Sequence, residues 1–402
     1  MSHRDGRTIY DSDAHIIESR GWLESYATDY VKENLDQGIF SLDNPLLDPL
    51  MDIADKRLAG DDPELTDGLK DNIFGHKMKR NQWAAYGACE KKERSEALDI
   101  MGISSQLIFP SVAGARFSGS KDLEVVYGGC DALNRGMADF CSDDPRMLPV
   151  GMVNLKDPER AQQSLKLALD LGIRSIWIGS DAVEGRAPSH ITYDPLWAMM
   201  EEAGVPVTLH IGSGKNMPSV YMNTGVERVL EGNIANIETT KPKDLPVIHH
   251  SIERWLTCMI YDGVLERFPN LKIGLIELGA VWVPASLMNL DMGVSLLGRF
   301  DVNLKKLPMK PSEYFQRQVR VAPLHTENTG WILRNVPKEI LMFNTDYPHP
   351  EGGSDPFGDF ERSLDAVGAT EEELDHFYTR NYEDYLGLRS SERVEAKEAA
   401  SS

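Results

Sequence analysis

Short apolar runs rich in β-branched residues alternate along the chain with longer segments in which apolar residues recur every three or four positions. The short runs are typical of parallel strands buried on both faces, and the longer segments of amphipathic helices. The pattern predicts strands over residues 9–15, 103–110, 147–153, 173–179, 206–210, 271–277, 319–322 and 339–346. It predicts helices over residues 90–101, 122–142, 157–171, 194–203, 249–268, 282–297, 329–336, 356–367 and 371–386. We therefore expect an α/β fold with a parallel sheet.

Two α/β folds fit this alternation, an open doubly wound sheet and a closed (β/α)₈ TIM barrel. No Gly-x-Gly-x-x-Gly motif follows the first strand, and polar residues end many different strands, which favours the barrel. We expect one TIM-barrel domain over residues 1–388. Residues 18–85 have poor apolar periodicity and are expected to be an insertion or cap after strand one. The Ser/Glu/Ala/Lys-rich residues 389–402 are expected to be a disordered tail.

Composition narrows the classes of partner. The chain has 402 residues, of which 41% are hydrophobic and 26% charged, as in a globular protein. Its formal net charge of -21 argues against nucleic acid or an anionic membrane surface as a partner. We find neither a signal peptide nor an apolar run long enough to span a bilayer. The four cysteines are scattered without a Cys-x-x-Cys pair, so we expect reduced thiols and a cytoplasmic protein.

Metal-capable side chains stand at the ends of several predicted strands. The first strand ends in Asp13-Ala-His15, whose two polar side chains share a face because the side-chain period of a strand is two. The fifth strand ends in His210 and the eighth in Asp346. The carboxyl ends of barrel strands meet on one rim, so these four side chains are predicted to converge. Together they make a mixed nitrogen and oxygen site with room for water, which suits a catalytic divalent metal.

Four further residues are candidates for catalysis or substrate binding. Glu277 ends strand six, where it would transfer a proton if burial raises its pKa, or orient a ligand histidine from behind. His250 opens a helix after the strand-five loop and would either donate a proton over the site or cap the helix. Arg116, after strand two, is a candidate partner for a substrate carboxylate. His349 follows Asp346 by three residues and is a candidate substrate contact; Asp346 itself is a candidate base.

With these residues in view, the sequence resembles the amidohydrolase superfamily, in its amidohydrolase-2 branch related to aminocarboxymuconate-semialdehyde decarboxylase. The resemblance rests on Asp13-Ala-His15, Leu209-His210, Arg267-Phe-Pro-Asn-Leu-Lys-Ile-Gly before strand six, and Phe343-Asn-Thr-Asp346-Tyr-Pro-His349. It implies one divalent metal held by the strand-one pair, His210 and Asp346. We expect Zn²⁺, with Mn²⁺ as the alternative, because Asp13 replaces a histidine common in this branch. Branch decarboxylases usually carry a histidine at the end of strand six, where this chain has Glu277.

The residues and the resemblance together predict a metal-dependent enzyme acting on a small organic acid or amide. The reaction is either hydrolysis by metal-activated water or non-oxidative decarboxylation. The resemblance also implies a homodimer or larger homo-oligomer. The alternative is a non-catalytic barrel that binds a metabolite or serves as a scaffold, which would contain no stoichiometric metal.

Overall fold

Seven parallel strands form one curled sheet in a computed structural model of the chain. The structure describes residues 3–37, 48–75, 82–214, 217–226 and 242–388. The strands β1 to β7 are Tyr10–His15, Ser105–Phe109, Met147–Met152, Ser175–Trp177, Val207–His210, Ile273–Ile276 and Val319–Val321. Each strand pairs with its neighbours in chain order, as in a barrel built from successive βα units.

An extended segment over residues 339–347 occupies the eighth position. It pairs with β7 through the bridge between Val321 and Leu341, and with β1 through the bridge between Ala14 and Tyr347. These contacts on both sides connect the last strand of the sheet to the first, so the predicted TIM-barrel fold is confirmed. The prediction of a regular eighth strand over residues 339–346 is wrong in detail, since only these isolated bridges form.

Helices connect and flank the strands. They are Lys91–Met101, Ala115–Ser118, Leu123–Phe140, Pro158–Asp170, Asp194–Ala203, His250–Tyr261, Val264–Arg267, Val283–Leu297, Pro311–Gln318, Thr329–Leu333, Pro356–Asp365, Glu371–Asp375 and Asn381–Leu386. The helix Pro311–Gln318 is not predicted by the sequence pattern. In the part of the chain that the structure describes, no helix has both the length and the apolar character needed to cross a membrane.

Two predicted helices are interrupted. The segment over residues 249–268 is two helices because Gly263 adopts φ 72°, a left-handed conformation that ends the first helix. The segment over residues 371–386 contains a π-helical turn, His376–Arg380. The Nδ1 atom of His376 lies 2.9 Å from Oδ1 of Asn381 across this turn. Apolar periodicity does not resolve such local changes of helical geometry.

The described parts of residues 18–85 contain four α-helices, Trp22–Tyr26, Asp29–Asn34, Asp48–Leu58 and Pro63–Asp71, and the 3₁₀ turn Gln82–Ala84. Their buried side chains join the main apolar core around the sheet. Arg57 donates two hydrogen bonds to the carboxylate of Glu93, at 2.7 and 2.9 Å, and so ties this segment to the helix before β2. The predicted domain limits stay predictions, and residues 389–402 lie outside the described residues.

A smaller apolar cluster fills the barrel interior. Its members are Tyr10, Leu107, Phe109, Val150, Ile276, Ala322, Met342, Tyr382, Tyr385 and Leu386. The last three belong to the final stretch of helix, where the hydroxyl of Tyr385 lies 2.5 Å from Oγ1 of Thr208 and 2.9 Å from Oγ of Ser175. Ser175 and Thr208 lie at the beginnings of their strands. The final helix therefore closes the amino-terminal end of the barrel and leaves the carboxyl-terminal end for chemistry.

Candidate metal centre

The first strand delivers Asp13 and His15 to the barrel interior through a bulge. The pairing register of β1 with β2 shifts between Asp11 and Ala14. Tyr10 belongs to the interior cluster, and regular alternation would turn a residue three positions later to the opposite face. With the extra residue, Asp13 and His15 both face inward, and Nε2 of His15 lies 3.3 Å from Oδ1 of Asp13.

Two imidazoles present the same ring nitrogen to the centre. Nε2 of His210, at the end of β5, lies 3.4 Å from Oδ1 of Asp13. The Nδ1 atom of His210 lies 3.1 Å from the carbonyl of Ile211, and Nδ1 of His15 lies 3.3 Å from the carbonyl of Pro110. A neutral imidazole that donates from Nδ1 leaves Nε2 as a metal ligand. Nε2 of His15 is buried and makes no well-aligned hydrogen bond in the described part of the chain, which fits a cation there.

The closing segment brings Asp346 and His349 to the same place. Oδ1 of Asp346 lies 3.5 Å from Nε2 of His15 and 3.1 Å from Nδ1 of His349. The rings of His349 and His15 stack with their centroids 3.9 Å apart. Nε2 of His349 lies 2.9 Å from the hydroxyl of Ser111, in the loop after β2. The candidate substrate contact His349 thus packs directly on a candidate ligand.

Glu277 joins the group from the end of β6. Its Oε2 lies 3.4 Å from Nε2 of His210, and ligand atoms of Asp13, His15, His210 and Glu277 all lie within 4.8 Å of one another. Glu277 and Asp346 adopt left-handed backbone conformations, with φ 56° and 50°. Residues other than glycine rarely adopt this conformation, and such strain concentrates at functional sites.

The electrostatics of the centre favour a cation. Burial and, after it, the neighbouring imidazole of His349 lower the pKa of His15 to about 3, so the ring is neutral at pH 7. Burial alone would raise the pKa of Asp13, but the imidazoles of His15 and His210 outweigh it and lower that pKa. Asp13 is therefore ionised and His15 neutral, as a bound divalent ion requires. Carboxylates and imidazoles in this number and spacing fit a divalent metal.

A family model described as Amidohydrolase matches residues 11–388. The chain belongs to the amidohydrolase family. It is 26% identical over 263 residues to the 2-amino-3-carboxymuconate-6-semialdehyde decarboxylase of Dictyostelium discoideum. This match covers 64% of this chain and 66% of that protein, just under two thirds of its length. It is 26% identical over 305 residues to the decarboxylase orsB of Emericella nidulans, covering 73% and 84% of the two chains.

Several solved structures share the fold of this chain. An amidohydrolase from Mycobacterium avium subsp. paratuberculosis has a TM-score of 0.68 at 20% identity, covering 96% of this chain and 99% of that one. The 5-carboxyvanillate decarboxylase of Novosphingobium aromaticivorans, complexed with manganese and 4-hydroxy-3-methoxy-5-nitrobenzoic acid, has a TM-score of 0.62 at 18% identity, covering 95% and 97%. The predicted family is confirmed, and the curated relatives are decarboxylases, in agreement with the predicted carboxy-lyase or hydrolase.

Two candidate residues of this amidohydrolase have other contacts. His250 is exposed at the first position of its helix, with its ring centroid 4.8 Å from that of His249. Among the described contacts, none joins His250 to the metal-capable residues at the strand ends. Arg116 is buried, with Nη1 2.6 Å from Oε1 of Glu24 and Nε donating to the carbonyl of Asp36. The roles predicted for both residues stay predictions.

Aromatic residues that sequence reasoning missed frame the centre. The ring centroid of His210 lies 4.7 Å from that of Phe109 and 5.0 Å from that of Trp177. Phe109 and Trp177 are the last residues of β2 and β4. The rule that located the metal-capable residues, taking the last residue of each strand, would also have found this pair.

Glu18 organises the loop after β2. Its buried carboxylate accepts hydrogen bonds from the backbone N–H groups of Ser111, Val112 and Ala113, at 3.0 to 3.2 Å. This loop supplies the carbonyl of Pro110 and the hydroxyl of Ser111, which contact the two stacked histidines. A single glutamate in an aperiodic segment carries no sequence signal for this contact, because its partners lie more than 90 residues away.

Arg94 supports β1 from outside the barrel. Its fully buried guanidinium donates to the carbonyls of Gly87 and His15, at 2.7 and 2.5 Å, and to Oε1 of Gln106 at 3.1 Å. Replacing Arg94 with methionine keeps the volume but leaves these buried acceptors without their donor. We expect the free energy of unfolding to fall by roughly 2–4 kcal/mol, measured by urea denaturation.

The matched control is Arg160→Met, which removes a half-exposed guanidinium paired with Glu124 at 2.9 Å. A surface ion pair contributes at most about 1 kcal/mol, so this variant should unfold close to the wild-type urea midpoint. Equal losses in the two variants would show that the buried network around Arg94 does not hold β1 in place.

Proposed function

We propose that this member of the amidohydrolase family is a metal-dependent, non-oxidative decarboxylase of a small aromatic or unsaturated carboxylic acid. The observation that carries the proposal is that ligand atoms of Asp13, His15 and His210 lie within 4.8 Å of one another, with Asp346 3.5 Å from His15. Relatives that are decarboxylases, including one whose name specifies an aromatic acid, support this chemistry over hydrolysis. Hydrolysis of an amide or lactone is the second candidate, because the same residues would serve it.

We propose Asp13, His15, His210 and Asp346 as the metal ligands, with Zn²⁺ or Mn²⁺ as the ion. Two carboxylates and two imidazoles suit either ion, and the solved 5-carboxyvanillate decarboxylase was complexed with manganese. When bound, a divalent ion supplies Lewis acidity that polarises substrate oxygens. Wild type and Asp13→Ala are purified from medium supplied with both metals, and the ion that elemental analysis finds missing from the variant is the ion of the barrel centre.

The remaining residues of the centre would orient the substrate and move its proton. The imidazole of His349 is fixed between the hydroxyl of Ser111 and the ring of His15, so we assign it a contact to the substrate carboxylate. In decarboxylation the bond to the carboxylate carbon breaks, CO₂ leaves, and the electron pair stays on the ring or vinyl carbon. We assign delivery of the proton to that carbon to Oε2 of Glu277.

The test is a panel assay with metal-loaded protein. Aromatic and unsaturated acids are monitored for CO₂ release, and amides and lactones for release of acid. CO₂ from at least one acid supports the decarboxylase. Hydrolysis without CO₂ supports the second candidate. No turnover, no stoichiometric metal and no effect of Asp346→Asn on metal content would favour the non-catalytic barrel.

We also propose that two copies of the chain associate through an apolar helix face, which we define as Met288, Met292, Leu296 and Leu297. These four apolar side chains lie in one helix, Val283–Leu297, and each of them is more than half exposed. A protein with a net charge of -21 repels its own copies, and an uncharged apolar face is where that repulsion is weakest. The cytoplasmic location stays a prediction.

The double variant Met292→Lys with Leu296→Lys should convert the dimer to a monomer, because it places two like charges on each side of the contact. Analytical ultracentrifugation at micromolar protein measures the change. The control is Ile191→Lys, at an exposed apolar residue away from this helix, which should remain dimeric. A wild-type protein that sediments as a monomer contradicts the proposal.

A further inference from the structure

A second cluster of metal-capable side chains lies at the start of the helix His250–Tyr261. One ligand atom from each of His249, His250 and Glu253 lies within 4.8 Å of the others. Nε2 of His249 lies 3.6 Å from Oε2 of Glu253. No member is shared with the clusters formed by the strand-end residues. The helix follows β5, so its first turn lies at the carboxyl-terminal side of the barrel.

The spacing of the cluster suits chelation. His249 has helical backbone angles, φ -86° and ψ -10°, and stands four residues before Glu253. Side chains four residues apart on a helix lie on the same face, so an imidazole and a carboxylate there can bind one ion. The neighbouring imidazole of His250 adds a third ligand, and three protein ligands leave a position open for water or another molecule.

His249 is held in place by Trp282. Their rings stack with centroids 5.2 Å apart and an angle of 7° between the planes. The indole Nε1 of Trp282 donates at 2.9 Å to the carbonyl of Gly279, two residues after Glu277. Partial burial lowers the pKa of His249 to about 4, so its ring is neutral at pH 7 and available to a metal.

The carboxylate of Glu253 faces imidazoles rather than a fixed positive charge. Ser286 donates a hydrogen bond to it, and its ion-pair contact in the described part of the chain is with His249. The next residue, Arg254, lies 4.0 Å from Asp181 instead. A half-buried carboxylate beside two imidazoles is a ligand set that suits a divalent cation.

We propose that His249, His250 and Glu253 form a second divalent-metal site, separate from the barrel centre. Two imidazoles and one carboxylate favour Zn²⁺ over Mn²⁺, since nitrogen ligands suit zinc and manganese prefers oxygen. The site does not depend on the proposed decarboxylation. A zinc ion there would be connected through the stacked Trp282 to the loop that follows Glu277.

Equilibrium dialysis of the full chain against Zn²⁺, followed by elemental analysis, tests the site. We expect two zinc ions per wild-type chain and one per chain in the variant His250→Ala with Glu253→Gln. Asp13→Ala, which disables the barrel centre, should also retain one, and the combined variant none. The control His190→Ala, at an exposed histidine outside all three clusters, should retain two.

The variants are chosen to keep the fold intact. His250 is exposed, and glutamine at residue 253 keeps an acceptor for Ser286, so thermal unfolding of the apoproteins should be unchanged. His250→Ala alone should weaken the second zinc ion by at least ~10-fold. One zinc ion per wild-type chain, lost in Asp13→Ala, would overturn the proposal. Two zinc ions retained by His250→Ala with Glu253→Gln would overturn it as well.

Discussion

Asp346→Asn is expected to weaken metal binding at the barrel centre by at least ~100-fold and to lower the turnover of any substrate by at least ~10³-fold. The substitution replaces the carboxylate of a proposed ligand with a neutral amide, so the buried site attracts a cation less strongly. Inductively coupled plasma mass spectrometry after gel filtration measures the bound metal, and the panel assay measures turnover.

Asparagine is the informative replacement because Asp346 has a left-handed backbone with φ 50°. Asparagine and aspartate tolerate this conformation better than other residues with side chains, so the variant changes charge with little backbone strain. Mn²⁺ at 100 times its Kd for the barrel centre should stabilise the wild type by about 2.7 kcal/mol, and a Kd at least ~100-fold weaker should reduce this stabilisation in the variant to about 0.4 kcal/mol or less. Asp170→Asn, at an exposed carboxylate ending the helix Pro158–Asp170, should behave as wild type. A variant that keeps full metal content refutes the assignment of Asp346 as a ligand.

The convergence of the strand-end residues could be predicted from the sequence because it follows from the geometry of a barrel. Once parallel strands are inferred, their carboxyl ends must share a rim, whatever their separation along the chain. His15 and Asp346 are 331 residues apart in sequence by their numbers, yet their side-chain atoms lie 3.5 Å apart. The prediction required only the end of each strand, which apolar runs mark well.

The bulge in β1 could not be predicted in this way. Strict alternation would place Asp11 on the same face as Asp13, and both are polar. In the structure Asp11 instead accepts hydrogen bonds from Gln106, at 2.8 Å, and from the backbone and hydroxyl of Thr345, at 2.9 and 2.5 Å. Burial raises the pKa of Asp11 to about 7 despite these bonds. Polarity alone does not distinguish a ligand carboxylate from one that joins two strands.

The closing segment shows why the eighth strand is irregular. The side-chain amide of Asn344 donates at 2.8 Å to the carbonyl of Pro323, and the backbone of Thr345 donates to Asp11. These side-chain bonds take the place of part of a regular backbone ladder, which a pattern of apolar residues over 339–346 does not reveal. The same irregularity turns Asp346 and His349 toward the centre.

Glu277→Gln is expected to reduce kcat by about 10²–10³-fold while the metal content stays near one ion at the barrel centre. Glutamine preserves the size of the side chain, but its amide neither gives nor takes a proton near neutral pH. The other proton-donor candidate is replaced by glutamine in His250→Gln, which should reduce kcat far less. His250 is exposed, whereas Glu277 is buried at 7% exposure beside His210. Both variants are assayed with Mn²⁺ in zinc-free buffer, so that the second cluster does not affect the comparison.

The pair of variants also separates two roles for Glu277. If Glu277 transfers the proton, kcat falls, KM and metal content are unchanged, and solvent deuterium enters the product more slowly. If Glu277 is instead a metal ligand, as its position within 4.8 Å of Asp13, His15 and His210 allows, metal content falls together with kcat. A loss in His250→Gln greater than that in Glu277→Gln would move the proton transfer to the helix after β5, and would require that helix to approach the centre when substrate binds.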